Sequence, residues 1–120
     1  MKYYLTTPIY YVNAAPHIGH TYTTIAADAI KRFKRMQGFD PVVLTTGTDE
    51  HGQKVERAAK GAGKAPEEFT TAVAAEFKKQ WDTFGLQYDH FLRTSDPRHH
   101  DAVRWLFERC QKNGAIYKQP

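Results

Sequence analysis

The order of apolar segments predicts an α/β domain, the first half of a doubly wound parallel sheet with covering helices. Three observations carry that expectation. Short β-branched or aromatic runs alternate with longer segments whose apolar residues recur every three or four positions. The order reads strand, helix, strand, two helices, strand, helix, and such alternation joins parallel strands by crossover helices. No internal repeat, low-complexity stretch or linker interrupts the 120 residues, a length that suits one small domain or part of a larger one.

Each element has a local reason. Lys2-Tyr3-Tyr4-Leu5-Thr6-Thr7 is aromatic and β-branched and is limited by Pro8, so it reads as a short strand. After an opening loop, Ile18, Tyr22, Ile25, Ala29, Phe33 and Met36 define one face of a helix, which is expected to meet the core. Lys31, Arg32, Lys34 and Arg35 suit the negative end of that helix, and Gly38 stops it. Pro41 to Thr46 holds three consecutive apolar residues and reads as a buried strand, with Gly47 to Gly52 as its loop. Gln53 to Lys60 forms a short helix ended by Gly61 and Gly63.

Pro66 opens the next helix, where its missing N–H costs nothing. Its stripe is Phe69, Val73, Phe77, Trp81 and Phe84, and Gly85 stops it. Tyr88 to Arg93 reads as the third strand. Thr94 or Ser95 caps a last helix from Pro97 to Lys112, closed by Asn113-Gly114. Trp105 and the series Val103, Leu106, Phe107 and Cys110 are assigned to packing.

Composition narrows the function classes. The sequence is 41% hydrophobic and 13% aromatic, enough to bury a core. Seventeen Lys and Arg against thirteen Asp and Glu leave a net charge of +4. That balance fits an anionic partner such as a nucleotide or RNA, and equally a plain basic surface, because the charges are spread along helices. Cys110 is the single cysteine, so neither an intrachain disulfide nor a cysteine metal cluster can form. Tyr3 to Ala27 carries no charged side chain, yet its Thr, Pro, Asn and His residues break any apolar run. The stretch reads as a pocket lining, and the protein as soluble and cytoplasmic, with no membrane contact.

In a parallel sheet, ligands bind beyond the carboxyl ends of the strands. Two unusual loops fall there. His17-Ile18-Gly19-His20 stands where a helix begins, and helix starts attract anions through unpaired N–H groups. Two imidazoles three apart share a face, and with the helix N–H groups they could stabilise charge on an attacked α-phosphate. They could equally be a pair of capping histidines. A zinc pair completed by His51, His99 or His100 is a third reading. In the second loop, Asp49 would suit a ligand ammonium or cap the next helix, and Glu50 competes for the same task. Tyr10 and Tyr11 either wall a pocket or join the core. Arg93 either reaches a phosphate or is a surface charge.

Pro16-His17-Ile18-Gly19-His20 after a first strand resembles the His-Ile-Gly-His signature of class I aminoacyl-tRNA synthetases. Thr7 to Asn13, Thr46 to Gly52, Phe91 to Thr94 and Gly114 to Tyr117 are together similar to the methionyl-tRNA synthetase family, over essentially the whole chain. The resemblance implies a Rossmann-like (HUP-type) sheet and a ligase that joins methionine to AMP and transfers it to tRNA(Met). It implies ATP with Mg2+ and L-methionine as ligands, with no zinc site in this chain. By resemblance, His17 and His20 are catalytic, and Asn13, Pro16, Ile18 and Gly19 join them in binding ATP. Gly19 lets adenine pack close to the backbone. Asp49 holds the methionine ammonium, and Tyr11, with Ile9 nearby, lines the methionine pocket.

The family's Lys-Met-Ser-Lys-Ser signature is not in these 120 residues. The expectation is therefore that residues 1–120 are the N-terminal half of the catalytic domain, without the connective-peptide, second-signature and anticodon-binding parts. Such a half should bind more readily than it catalyses. Its alternatives are an ATP- or methionine-binding module, another nucleotidyl transferase of the superfamily, or a zinc hydrolase. Half a sheet should also leave an edge strand and apolar helix faces uncovered, favouring self-association.

Overall fold

The computed structural model describes residues 1–119. Its elements are β1 (Tyr3–Thr6), β2 (Tyr10–Tyr11), α1 (Ile18–Met36), β3 (Val42–Asp49), α2 (Gln53–Gly61), α3 (Pro66–Thr83), β4 (His90–Arg93) and α4 (Pro97–Lys112). Every strand pairing is parallel. β3 is the centre: β1 pairs with its first half, β2 with its last two residues, and β4 with Thr45 to Thr48 on its other edge. The sheet therefore has three lanes, with β1 and β2 sharing one around a break at Thr7 to Ile9.

The strand expected over Tyr88 to Arg93 begins at His90, and two further differences bear on the site. Tyr10-Tyr11, expected in a loop, is a two-residue strand because Tyr10 opposes Thr48 and Tyr11 opposes Asp49. Gly47 to Asp49 belongs to β3 instead of its following loop. Gly47 allows this: a Cβ there would lie 1.9 Å from the Leu92 carbonyl oxygen, so only glycine lets β4 approach.

Alternation along β3 separates two faces. Val42, Leu44, Thr46 and Thr48 are buried on the helix side. The core there joins Tyr10, Val12, Val55, Val73, Phe77 and Trp81. Phe77 and Trp81 of α3 are wholly buried, and each such aromatic contributes roughly 2–3 kcal/mol of transfer free energy. On the opposite face Tyr4 and Tyr11 are exposed.

The α1 stripe forms the predicted helix but faces the wrong way. Ile18, Tyr22, Ile25, Ala29, Phe33 and Met36 are exposed, whereas Thr21, Thr24, Ala27, Asp28 and Lys31 are buried. The polar inner face is satisfied atom by atom. Thr24 Oγ1 bonds the His20 carbonyl at 3.0 Å and Tyr10 Oη at 2.9 Å. Asp28 accepts from Arg32 Nε and the Gln87 N–H. Lys31, only 1% exposed, donates to the Gln87 carbonyl and to Asp89, which also accepts from the Leu44 N–H at 2.7 Å. Burial alone would raise the Asp89 pKa, but hydrogen bonds from Lys31 and Leu44 outweigh it and hold the carboxyl low.

α4 departs further. It buries no residue; Trp105, Val103, Leu106 and Phe107 are exposed and Cys110 is half-buried. Its N-cap is Asp96, which accepts from the Arg98 N–H, because Thr94 and Ser95 are engaged with Glu50. Phe84, expected on the α3 stripe, is also exposed.

Candidate functional site

Both unusual sequence segments end at the carboxyl edge of the sheet. His17 is the N-cap of α1, and its Nδ1 accepts the Gly19 N–H at 3.1 Å. His20 Nδ1 accepts the His17 N–H at 3.2 Å. The two rings stack with centroids 3.7 Å apart. The capping reading thus holds, and it serves the catalytic one. A neutral imidazole that accepts at Nδ1 carries its proton on Nε2. Both rings are therefore fixed as Nε2–H donors beside an anion-favouring helix start. Gly19 makes room for this: a Cβ there would lie 3.0 Å from His17 Cε1.

His20 also packs on Tyr10 (4.9 Å between centroids) and Phe77 (5.1 Å). Burial first, and the neighbouring His17 second, lower its pKa below the ordinary value, favouring the neutral donor. Around this pair, Asn13, Ile18 and Gly19 are exposed and Pro16 is half-buried. Ile18 points most of its surface to solvent at 86% exposure.

Asp49 ends β3, half-buried, level with the exposed Tyr11 of β2. Ile9, 44% exposed, precedes β2 by one residue. Asp49 does not cap α2, whose N-cap Gly52 lacks a side-chain bond. It makes no ion pair among the described residues. Glu50 is different. Its carboxylate is fully buried and receives Arg93 Nε at 2.7 Å, Arg93 Nη2 at 2.9 Å, Thr48 Oγ1 at 2.7 Å and the Ser95 hydroxyl. Burial would raise its pKa, but bonds from Arg93, Ser95 and Thr48 outweigh that and hold it ionised. Arg93 is therefore a paired charge, held by Glu50.

β2 links the halves. Tyr10 turns into the core beneath His20, with its hydroxyl on Thr24, while Tyr11 turns to the other face beside Asp49. The core reading fits Tyr10, whereas Tyr11 is an exposed side chain. His51 bonds the Thr94 carbonyl and faces His100 at 5.9 Å, apart from the His17–His20 pair. Among the described residues no three His, Cys, Asp or Glu side chains converge as metal ligands.

The sequence reading missed the Glu50–Arg93 and Lys31–Asp89 pairs. Their partners lie 43 and 58 residues apart, and no local spacing marks them.

The family model for class I tRNA synthetases (M) matches residues 3–120. The chain belongs to that family. A methionine–tRNA ligase of Thermotoga maritima is 52% identical over 118 residues, 98% of this chain and 19% of the relative. The Mycobacterium tuberculosis methionyl-tRNA synthetase, solved in complex with methionyl-adenylate, superposes with a TM-score of 0.91 at 45% identity, covering 95% of this chain and 22% of that one. An Agrobacterium radiobacter LeuRS in a ternary complex with tRNA and LeuAMS matches at a TM-score of 0.86 and 28% identity, covering 97% of this chain and 15% of that one. The chain thus spans about a fifth of the length of the methionine–tRNA ligase relatives it matches. The matched residues include the His17–His20 segment that caps and opens α1.

Proposed function

We propose that this chain carries the amino-acid-activation site of a methionine–tRNA ligase, with one half of the phosphate-binding apparatus. In the whole enzyme the carboxylate oxygen of L-methionine attacks the α-phosphate of ATP, pyrophosphate leaves, and the methionyl group then passes to tRNA(Met). His17 and His20 are assigned to the phosphates, where two Nε2–H donors stabilise charge that grows in the transition state. Asn13, Pro16, Ile18 and Gly19 shape the ATP side. Asp49 takes the methionine ammonium by charge complementarity, and Tyr11 and Ile9 line the side-chain pocket. Mg2+ enters with ATP as part of the substrate. No described helix is long and apolar enough to cross a membrane.

The observation that carries this reading is β2, which sets Tyr10 under His20 and Tyr11 beside Asp49 in consecutive residues. Two consecutive residues of β2 thereby neighbour the side chain assigned to ATP and the one assigned to the ammonium group, which supports placing both ligands in one crevice. The Mycobacterium relative bound to methionyl-adenylate supports methionine and ATP as the ligand classes.

Methionine-dependent ATP–pyrophosphate exchange tests it. The 120-residue chain should bind ATP and methionine saturably and show little exchange. Joined to the remainder of a relative, it should exchange, and His17→Ala should lower the rate on the order of 10²-fold. Unchanged exchange in that variant, or no saturable binding by the chain, would sink the proposal.

A further inference from the structure

Asp49 and Glu50 are adjacent carboxylates, and only one of them can face the crevice. Successive side chains at a strand end point to opposite faces, so a slip of one residue would exchange their places. Something must decide which carboxylate is left free. On one side β3 ends against β2, a strand of two residues that follows the break at Thr7 to Ile9. Pairing with β1 and β4 sets the register of β3 as far as Thr48, and only this short contact with β2 carries it to Asp49.

The other side is tied at several points. The Thr94 N–H donates to the Thr48 carbonyl at 3.2 Å, and the Glu50 N–H donates to Thr94 Oγ1 at 2.8 Å. The Glu50 carboxylate, with no exposed surface, is held by both Arg93 nitrogens and by the Thr48 and Ser95 hydroxyls. Arg93 is braced in turn by Thr71 of α3, whose hydroxyl it meets at 2.9 Å.

We infer that Glu50 and Arg93 are positioning residues for methionine recognition: their buried pair fixes the end of β3 so that Asp49 alone presents a free negative charge beside Tyr11. The pair acts in two ways. A bidentate guanidinium–carboxylate contact is directional, so it holds the orientation of residues 49 and 50 beyond the ladder that ends at Thr48. It is also self-neutralising. Glu50 therefore does not compete for a cationic ligand, although it is the neighbour of the residue that binds one. The clamp touches neither ligand; it works through the backbone of Asp49.

This inference rests on the proposed methionine reading, and the experiment separates the two. L-methionine and ATP are titrated individually into the 120-residue chain and its variants, followed by amide NMR. Glu50→Gln should weaken methionine binding on the order of tenfold through misplacement of Asp49, and leave ATP affinity unchanged. Ser95→Ala removes one bond only and should show the same split at smaller size. Loss of both affinities together would mark a general structural role and overturn the clamp, as would wild-type methionine affinity in Glu50→Gln. A chain in which Asp49→Asn leaves methionine binding unaltered would overturn the methionine reading instead. The clamp is then judged by hydrogen exchange. The Asp49 and Glu50 amides should exchange at least about tenfold faster in Ser95→Ala or Glu50→Gln than in the wild type, and unchanged exchange refutes it.

Discussion

Helices α1 and α3 both pack on the same side of the sheet, and both carry a clear apolar stripe. α3 buries Val73, Phe77 and Trp81 from its stripe, as periodicity alone would have it. α1 does the reverse: its stripe residues Tyr22, Phe33 and Met36 are exposed by 75%, 55% and 85%, and its inner face holds Thr21, Thr24, Asp28 and Lys31. The contrast teaches that an apolar stripe establishes a helix and a need for cover, but not which surface supplies it. α1 meets its neighbours through small side chains and paired charges, and leaves its large apolar residues exposed.

That contrast can be tested by treating the two inner faces alike. Phe77→Ala should cost about 4 kcal/mol, a transfer loss plus the cavity left beneath Tyr10 and Trp81. Lys31→Ala should cost nearly as much, about 3 kcal/mol, because it strands Asp89 and the Gln87 carbonyl. Asp89 keeps partial solvent contact at 32% side-chain exposure, which trims the penalty. Urea denaturation of both variants measures the difference. A Lys31→Ala chain as stable as wild type would mean that the polar face of α1 is incidental, and the comparison would fail.

Most of the fold was legible from sequence because its signals are local. Pro66 at a helix start, Gly85 and Gly114 after helix ends, and the Phe77–Trp81 stripe each announce structure within a turn of the chain. What stayed hidden depends on distant partners. Lys31 reads as one of four basic residues suited to a helix end until Asp89 arrives 58 residues later. Glu50 looks interchangeable with Asp49 until Arg93 takes it. β2 was hidden for another reason: two residues cannot show a period. The candidate site was more legible than its support. The positions of His17, His20 and Asp49 at the carboxyl edge follow from strand order, whereas the capping use of both Nδ1 atoms needs the geometry.

A second test concerns pH, and its effect should be smaller than either core substitution. His20 has a folded pKa below the ordinary 6.5, caused by burial and then by His17. Over that interval the unfolded chain binds more protons than the folded one, so stability rises with pH. The contribution is complete above the unfolded value and is lost as pH falls through the folded one. Protonating Nδ1 also ends its acceptance of the His17 N–H. Urea midpoints should therefore fall as pH drops below the ordinary histidine value, and His20→Gln should flatten that slope. An unchanged slope in the variant would place the titration elsewhere and detach α1's start from the imidazole pair.

The smallest effect on stability should come from the outer face of α1, and its size is the point. Phe33 and Tyr22 contribute little to the folded monomer, because most of their surface stays in water. Tyr22→Ser with Phe33→Ser should shift the unfolding free energy by less than about 0.5 kcal/mol, as for other surface substitutions. Association should respond much more. The exposed stripe lies on α1, which packs against β1, and the outer edge of β1 has no pairing strand among the described residues. Apolar surface next to an unpaired strand edge favours contact between copies. Sedimentation equilibrium should show the wild-type chain associating as concentration rises and the double variant remaining monomeric at the same urea midpoint. A dilute wild-type monomer with a sharp, cooperative melt and no concentration dependence would show that this face tolerates water, and the large side chains on α1 would then need a different explanation from cover.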